Sequence, residues 1–339
     1  IGGRLRQGSM NTTAFSFGPL GAKGFAFLNM LQLIGWTSIM IYDAMLALQE
    51  LEPLSPMIWT IAIGALVILW LFIGLHNTGY IQAIVSVLLL GLTLYMGAHM
   101  ISQWPSEGSL LSSGNMSFIA ALELSIAMPL SWLPLISDYT RESKNPVSAS
   151  LTSATVYTIT SIVMYTLGLS AAIFGGGDSI ITIMMNAGLG LAGLIVIIFS
   201  TVTTTFMDAY SAGVSSTTIY NDASSKGVAV IVTMVGTIAA ILYPMDDITD
   251  FLYLIGSVFA PMIAILLADY FINRQQVQTL SAYLVRGLIW ALSVGLYHYM
   301  LHSESTIGAT LPTFTMAFVV TAIVGFISKT AHTSAEIKQ

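Results

Sequence analysis

The chain alternates between long apolar runs and short polar segments from one end to the other. An apolar run of about 18 residues or more is long enough for a helix to cross the hydrocarbon core of a bilayer. Ten such spans are predicted, at about 25–49, 56–75, 80–101, 117–137, 148–174, 187–219, 227–243, 250–272, 279–300 and 309–328. The pattern therefore predicts an all-α integral membrane protein with a single polytopic domain over residues 1–339.

Composition narrows the class of protein further. Hydrophobic residues make up 55% of the chain, charged residues 8%, and the mean hydropathy is +0.83. Soluble domains carry about 25% charged residues, so soluble, disordered, fibrous and secreted disulfide-rich classes are excluded. A net charge of −6 leaves no basic footprint for nucleic acid. Because the chain has no Cys, thiolate catalysis and Cys-ligated zinc are excluded as well.

The charged residues indicate an orientation when the ten spans are placed alternately across a bilayer. All ten basic residues fall on one side, here called the basic side: Arg4, Arg6, Lys23, Arg141, Lys144, Lys226, Arg274, Arg286, Lys329 and Lys338. The opposite loops, the acidic side, carry only Glu50, Glu52, Glu107, Asp178, Asp246, Asp247, Asp250 and Glu304. By the positive-inside rule the basic side and both chain ends are cytoplasmic, which predicts a multi-pass protein of the cell inner (plasma) membrane.

The start of the chain precedes the first predicted span. Ile1 is no initiator, and no signal-peptide pattern follows it. We therefore expect an N-terminally truncated chain in which 1–24 hold the cytoplasmic end of a missing helix and a loop; a short cytoplasmic tail is the alternative. The ten spans then occupy 25–328, and 329–339 form a cytoplasmic tail.

Polar side chains at span depth mark three candidate regions, because such groups usually face a bundle interior or a cavity. In the first span, Asn29, Gln32, Trp36 and Asp43 recur at i, i+3, i+7 and i+14 along one helix face. An indole one turn from an amide can stack on a flat ring while the amide bonds its edge. The alternative is that Trp36 fills a helix interface and the amides join neighbouring helices.

The fourth span carries Pro129 and Pro134 on either side of Ser131. Each proline removes a backbone donor, so we expect this helix to be interrupted at mid-span, as in transporters that present backbone dipoles to a substrate. A simple proline kink is the alternative. Glu123, near the outer part of the same span, is a candidate gate, substrate contact or wetted residue.

The sixth span places Ser200, Thr204 and Asp208 at i, i+4 and i+8 on one face, with Thr203 beside it. Hydroxyl and carbonyl oxygens suit a hard monovalent cation, and Asp208 adds a carboxylate within the bundle. The alternative for the hydroxyls is that they bond back to carbonyls of their own helix.

Several motifs resemble the nucleobase–cation symporter family over essentially the whole chain. The run FLYLIGSVFAP at 251–261, followed by ADYF at 268–271, resembles the tenth helix of that family. SDYTR at 137–141 is similar to the end of its sixth helix, and Gly35-Trp36 to its third. Thr203-Thr204, with YSAG at 210–213, is similar to the eighth helix of the cytosine-permease branch.

The resemblance implies a twelve-helix fold of the LeuT type with an inverted five-helix repeat, of which this chain holds the third to the twelfth helix. By position, Thr203 and Thr204 would be sodium hydroxyl ligands and Ser200 a carbonyl ligand. Trp36 would stack on the substrate ring, and Gln32 or Ser131 would bond its edge.

Asp208 would lie where the family often has Asn. A carboxylate there favours an amino-bearing or protonated ring and resembles the branch for hydroxymethylpyrimidine, the thiamine precursor. Plain cytosine is correspondingly disfavoured.

The expected function is a secondary active transporter that imports a pyrimidine-type nucleobase or hydroxymethylpyrimidine by sodium or proton symport. No cofactor is expected besides Na⁺ as coupling ion, and the expected partners are the substrate and the lipid bilayer, without nucleic acid or an obligate protein. The nearest alternative is an amino-acid or other small-solute symporter on the same fold. A channel, an integral membrane enzyme and a non-transporting receptor or scaffold stay open, although no nucleophile motif or metal cluster points to an enzyme.

Overall fold

A computed structural model describes residues 1–51, 54–73, 75–102, 117–174, 190–303 and 307–336. Within these ranges the helices are α1 (Gly2–Leu5), α2 (Ser9–Thr12), α3 (Ala14–Leu51), α4 (Pro56–Ile73), α5 (Leu75–Ser102), α6 (Phe118–Thr140), α7 (Pro146–Phe174), α8 (Gly190–Ile219), α9 (Ser225–Leu242), α10 (Ile248–Leu267), α11 (Leu280–His302) and α12 (Thr310–Glu336). Ten of them, α3 to α12, are long and apolar enough to cross a membrane. The predicted all-α class and the number of spans are therefore confirmed.

Some sequence predictions fall outside this description. The charged residues Glu52, Glu107, Asp178, Glu304 and Lys338, which were used for orientation, lie outside the described residues. The predicted tail at 329–339 is helical as far as Glu336, the end of α12.

Side-chain caps explain where several helices begin. Ser117 Oγ accepts the Ala120 N–H at 3.1 Å at the start of α6, and Ser224 Oγ accepts the Gly227 N–H at 3.1 Å at the start of α9. Asp247 caps α10 in the same way. Each cap satisfies a backbone donor that has no partner within its own helix, so these polar residues end the loop and start the span.

The first spanning helix begins earlier than predicted, at Ala14 rather than at about 25. It is broken at Gly18, whose φ of 68° and ψ of 179° are not helical, just before Pro19. The left-handed φ is easily adopted only without a Cβ, and an added Cβ would lie 2.7 Å from the Tyr283 ring. The apolar run by itself predicts a later start because Lys23 interrupts it.

The expected interruption of the fourth span is wrong. Helix α6 runs continuously from Phe118 to Thr140, with Pro129 and Pro134 inside it. Spanning helices tolerate proline where neighbouring groups satisfy the backbone nearby, and here Gln32 Nε2 donates to the Ser131 carbonyl, on the turn before Pro134, at 3.1 Å. The irregular backbone instead lies at Gly18 and in a π-helical turn, Ala268–Asn273, that continues α10.

The core divides the helices into two packing groups that share α3. In the α8 group (α3, α4, α8 and α9), side chains such as Trp70, Phe206 and Ala229 pack together. In the α10 group (α6, α10, α11 and α12), α10 lies at the centre, and Phe259 and Ala127 belong to a cluster that also contains Trp36 of α3. The two groups therefore have their own apolar cores along α3, and a small cluster that contains Leu135 of α6 and Ala212 of α8 lies between them.

Candidate binding site

The polar stripe of α3 is buried over most of its length. Asn29 is 0% exposed, Gln32 5% and Trp36 7%. Asp43, the last member of the predicted stripe, is exposed near the acidic-side end of α3. The three buried residues therefore form one region of the site, and Asp43 does not belong to it.

Two amides of this stripe join three helices. Gln32 Nε2 donates to Asn29 Oδ1 at 3.0 Å and to the Ser131 carbonyl of α6 at 3.1 Å. Asn29 Nδ2 in turn donates to Ser215 Oγ of α8 at 2.8 Å. We call Asn29, Gln32, the Ser131 carbonyl and Ser215 the amide network. It ties α3, which the two packing groups share, to α6 of the α10 group and to α8 of the α8 group.

Ser131 takes part in the network through its backbone. Its hydroxyl donates to the Met128 carbonyl of its own helix at 2.7 Å, while its carbonyl accepts from Gln32. Ser215 was missed by sequence reasoning. It lies seven residues after Asp208 and continues the face of Ser200, Thr204 and Asp208, so the helical period could have identified it.

Gln32 has one polar atom without a partner. Both contacts of its amide use Nε2, whereas Oε1 is buried and has no hydrogen bond among the described residues. Gln32 lines a cavity of about 160 Å³ between α3 and α10, which is otherwise apolar: Leu28, Leu31, Phe251, Leu254, Ile255, Val258 and Phe259. A buried acceptor without a donor is costly, so a ligand that donates to it gains free energy.

Trp36 contacts an aromatic residue of the same cavity. Its ring lies 5.4 Å from that of Phe251, in an edge-to-face arrangement with an interplanar angle of 74°. Gly35 permits this approach, because a Cβ there would lie 2.5 Å from the Phe251 ring. Phe251 lines the cavity and is therefore the nearer aromatic surface for a ligand, with Trp36 packed against it. Sequence reasoning used Phe251 only as part of a family motif.

The predicted cation ligands lie on neighbouring turns of α8. Thr203 is buried, while Ser200 and Thr204 are half-buried. Thr203 Oγ1 donates to the Ser200 carbonyl at 3.0 Å, so these two predicted ligand oxygens are adjacent. The set consists only of hydroxyl and carbonyl oxygens, the chemistry that hard cations prefer. The bond between them is also the one expected if the hydroxyl merely satisfies its own helix.

Asp208 is buried, with 5% of its surface exposed. Its electrostatic neighbour across the helix contact is Tyr139 of α6, whose hydroxyl donates to the Met207 carbonyl beside it. Among the described residues no hydrogen bond joins Asp208 to Gln32 or to Trp36. The predicted substrate residues therefore lie in two places: Gln32, Trp36 and Ser131 at the α3–α6–α10 contact, and Asp208 at the α6–α8 contact.

Two other buried carboxylates are fully paired. Glu123 accepts hydrogen bonds from the Ala309 and Thr310 N–H groups at 3.0–3.1 Å and also from the Thr310 hydroxyl. Asp269 pairs with Arg286 at 3.0 Å and accepts from Asn273 at 2.8 Å. Glu123 is only 6% exposed, so it is not wetted; it caps the start of α12.

Comparisons with known proteins agree with this architecture. A family described as "Permease for cytosine/purines, uracil, thiamine, allantoin" matches residues 12–337. A solved structure of a Na⁺-coupled sialic acid symporter, in a substrate-bound outward-open state, is similar with a TM-score of 0.71 at 16% sequence identity. The similarity covers 96% of this chain and 78% of that one, which shows the LeuT-type fold. A comparison with curated proteins gave no match.

Proposed function

The chain belongs to the family of permeases for cytosine/purines, uracil, thiamine and allantoin, and from this premise we propose that it imports an amino-bearing pyrimidine together with a cation. The substrate class that fits best is a 4-aminopyrimidine such as hydroxymethylpyrimidine. Two observations on Gln32 carry this proposal: the residue lines a small, largely apolar cavity, and its buried Oε1 has no hydrogen-bond partner among the described residues.

The cavity favours a single flat ring. Its volume of about 160 Å³ is smaller than the ~300–1,000 Å³ typical of sites for drug-sized ligands. Phe251 supplies an aromatic face, with Trp36 packed against it. Gln32 Oε1 accepts a hydrogen bond from an exocyclic amino group, whereas an oxo group at the same position would put two acceptors face to face. The site therefore selects amino-substituted over oxo-substituted pyrimidines.

Sodium is the proposed coupling ion. The Ser200 carbonyl and the hydroxyls of Thr203 and Thr204 supply the oxygen ligands, and further ligands come from other elements. Asp208 is the alternative, because a carboxylate buried at a helix contact can carry a proton instead. Uptake that does not depend on sodium and is abolished by Asp208→Asn would overturn the sodium assignment in favour of protons.

The proposed orientation follows from the charges. With the basic side cytoplasmic, as the positive-inside rule requires, both chain ends lie in the cytoplasm and the protein spans the inner membrane. Import then proceeds by alternating access, in which the α10 group moves relative to the α8 group and opens the site first to the acidic side and afterwards to the basic side.

A thermal-shift screen of the purified protein tests this proposal. The panel consists of aminopyrimidines, oxopyrimidines, purines and amino acids, each with sodium or with choline in its place. We expect stabilisation by aminopyrimidines that increases with sodium, because a ligand that binds only the folded state raises the melting temperature. Stabilisation by amino acids alone would favour an amino-acid symporter on the same fold. Counterflow in vesicles separates a transporter from a receptor that only binds.

A further inference from the structure

The carboxylate of Asp138 joins three separate segments at the basic-side end of α6. Ser9 N–H, in the segment that precedes α3, donates to Asp138 Oδ1 at 2.8 Å. Ser211 Oγ of α8 donates to Asp138 Oδ2 at 2.7 Å. Ser9 Oγ also accepts the Ser137 N–H at 2.9 Å. Both carboxylate oxygens are thus engaged, and Asp138 is only 3% exposed.

The Asp138–Ser211 bond crosses the boundary between the two packing groups. Helix α6 packs with α10 in one apolar core, and α8 packs with α4 and α9 in another. Besides the Asp138–Ser211 bond, α6 reaches α8 through the Tyr139 hydroxyl on the Met207 carbonyl and through a small cluster that contains Leu135 and Ala212. The junction therefore combines buried hydrogen bonds with a small apolar cluster, whereas the core of either group consists of apolar side chains.

Asp138 lies near the end of α6, where a contact between α6 and α8 can open to water. It lies within the last turn of α6, three residues before Arg141, whose carbonyl accepts from Arg6 at 3.1 Å. A carboxylate at this depth regains water when the helices separate, so the lost bonds are replaced by hydration. Glu123 differs in this respect, because it joins α6 to α12 inside one packing group.

We infer that Asp138 is a positioning residue that keeps the route from the binding site to the basic side closed. Its bond to Ser211 breaks when the α10 group moves to release substrate. This inference rests on the alternating access proposed above, but not on the identity of the substrate or of the coupling ion. Asp138 touches neither substrate nor ion and acts by setting the distance between α6 and α8.

Cysteine accessibility tests the inference, because the chain contains no Cys that would react in the background. A single Leu135→Cys reporter lies beneath the junction, where Leu135 is 2% exposed. Its rate of labelling by a maleimide is measured in the purified protein without substrate, alone and combined with Ser211→Ala or Asp138→Asn. Ser216→Ala is the matched control, because the hydroxyl of this buried serine, also in α8, donates to the Gly213 carbonyl of its own helix.

We expect Ser211→Ala to accelerate the labelling of Cys at position 135 about tenfold, the factor that corresponds to one hydrogen bond to a charged group. Asp138→Asn should act in the same direction, and Ser216→Ala should leave the rate unchanged. A second reporter, Leu48→Cys, lies in the core of the α8 group at 1% exposure and should label at the same slow rate in every variant.

Three outcomes overturn the inference. They are unchanged labelling at position 135 in folded Ser211→Ala, equal acceleration by Ser216→Ala, and parallel acceleration of the Leu48→Cys reporter, which would mean general loosening. If Asp138→Asn does not fold, Ser211→Ala decides the question alone. A failure of the substrate proposal leaves these rates unaffected, because no ligand is present in the assay.

Discussion

In the cluster of Asp269, Asn273 and Arg286, both carboxylate oxygens have partners, whereas the Gln32 oxygen of the amide network has none in the part of the chain that the structure describes. Both sets are buried within spanning helices and both join several of them. In the cluster of Asp269, Asn273 and Arg286, which we call the ion-pair cluster, the carboxylate is satisfied without a ligand. In the amide network, one buried oxygen still lacks a donor among the described residues. The ion-pair cluster therefore needs no ligand to satisfy its carboxylate, whereas Gln32, which also lines a cavity, keeps an acceptor that a ligand can use.

Breaking the ion-pair cluster should have the largest effect, on stability rather than on binding. Arg286→Leu leaves the Asp269 carboxylate buried without its cation, which should lower the free energy of unfolding by about 3–5 kcal/mol. Denaturation in detergent measures this loss. The double variant Asp269→Leu/Arg286→Leu should recover much of it, because no unpaired charge remains. An Arg286→Leu protein as stable as the parent would contradict a structural role for the pair.

Glu123, like Asp269, is a buried carboxylate with hydrogen-bond partners, and its substitution should have a smaller effect on stability. Glu123→Gln keeps the side-chain length but weakens the charge-assisted bonds to the start of α12, so we expect a loss of about 1–3 kcal/mol. Ligand selectivity should not change. Ser125→Ala is the matched control, because the Ser125 hydroxyl donates to the Ala121 carbonyl of its own helix. If Glu123→Gln altered selectivity but not stability, Glu123 would belong with the ligand site.

Substitution of Phe251, which lines the same cavity as Gln32, tests ligand binding there. Phe251→Leu keeps an apolar side chain but removes the aromatic surface, so affinity for an aminopyrimidine should fall by about 0.5–1.5 kcal/mol, the amount typical of an aromatic pair. Isothermal titration measures this change. Phe271, an exposed aromatic residue beyond α10, provides the control Phe271→Leu. Equal affinity of the Phe251→Leu variant and the parent would exclude stacking on this ring.

The hydroxyls of α8 should have the smallest effect, confined to sodium. Thr203→Ala removes one proposed ligand and should raise the sodium concentration for half-maximal stimulation of binding about three- to tenfold, as for one modest polar contact. Thr205→Ala is the control, since this buried hydroxyl donates to the Thr201 carbonyl. Identical sodium titrations for Thr203→Ala and Thr205→Ala would count against a cation site here.

The sequence was sufficient for the spans because each must bury a long apolar run in lipid. The predicted span at 56–75, for example, corresponds to α4 at Pro56–Ile73. The break at Gly18 and the continuity of α6 were not predictable from local pattern. The first depends on the approach of Tyr283 from α11, and the second on a neighbouring helix, from which Gln32 donates to the Ser131 carbonyl on the turn before Pro134.

The candidate site was predicted only in part, for a similar reason. The stripe of α3 identified Asn29, Gln32 and Trp36, because one helix face is readable from its period. Which atom of Gln32 remains unpaired depends on the Ser131 carbonyl and on the Asn29 side chain. Phe251 and Ser215 lie far away in the chain and reach α3 only through tertiary packing. Helical periodicity contains no information on such contacts.

The most direct test of the unpaired oxygen is a cycle that changes both protein and ligand. Affinities for a 4-aminopyrimidine and for its analogue with hydrogen in place of the amino group are measured in the parent, in Gln32→Leu and in the control Gln49→Leu near the other end of α3. We predict that the parent and Gln49→Leu prefer the amino compound at least about tenfold, since one buried hydrogen bond distinguishes the two ligands, and that Gln32→Leu shows no preference. An undiminished preference in folded Gln32→Leu would contradict the claim that this oxygen binds the ligand.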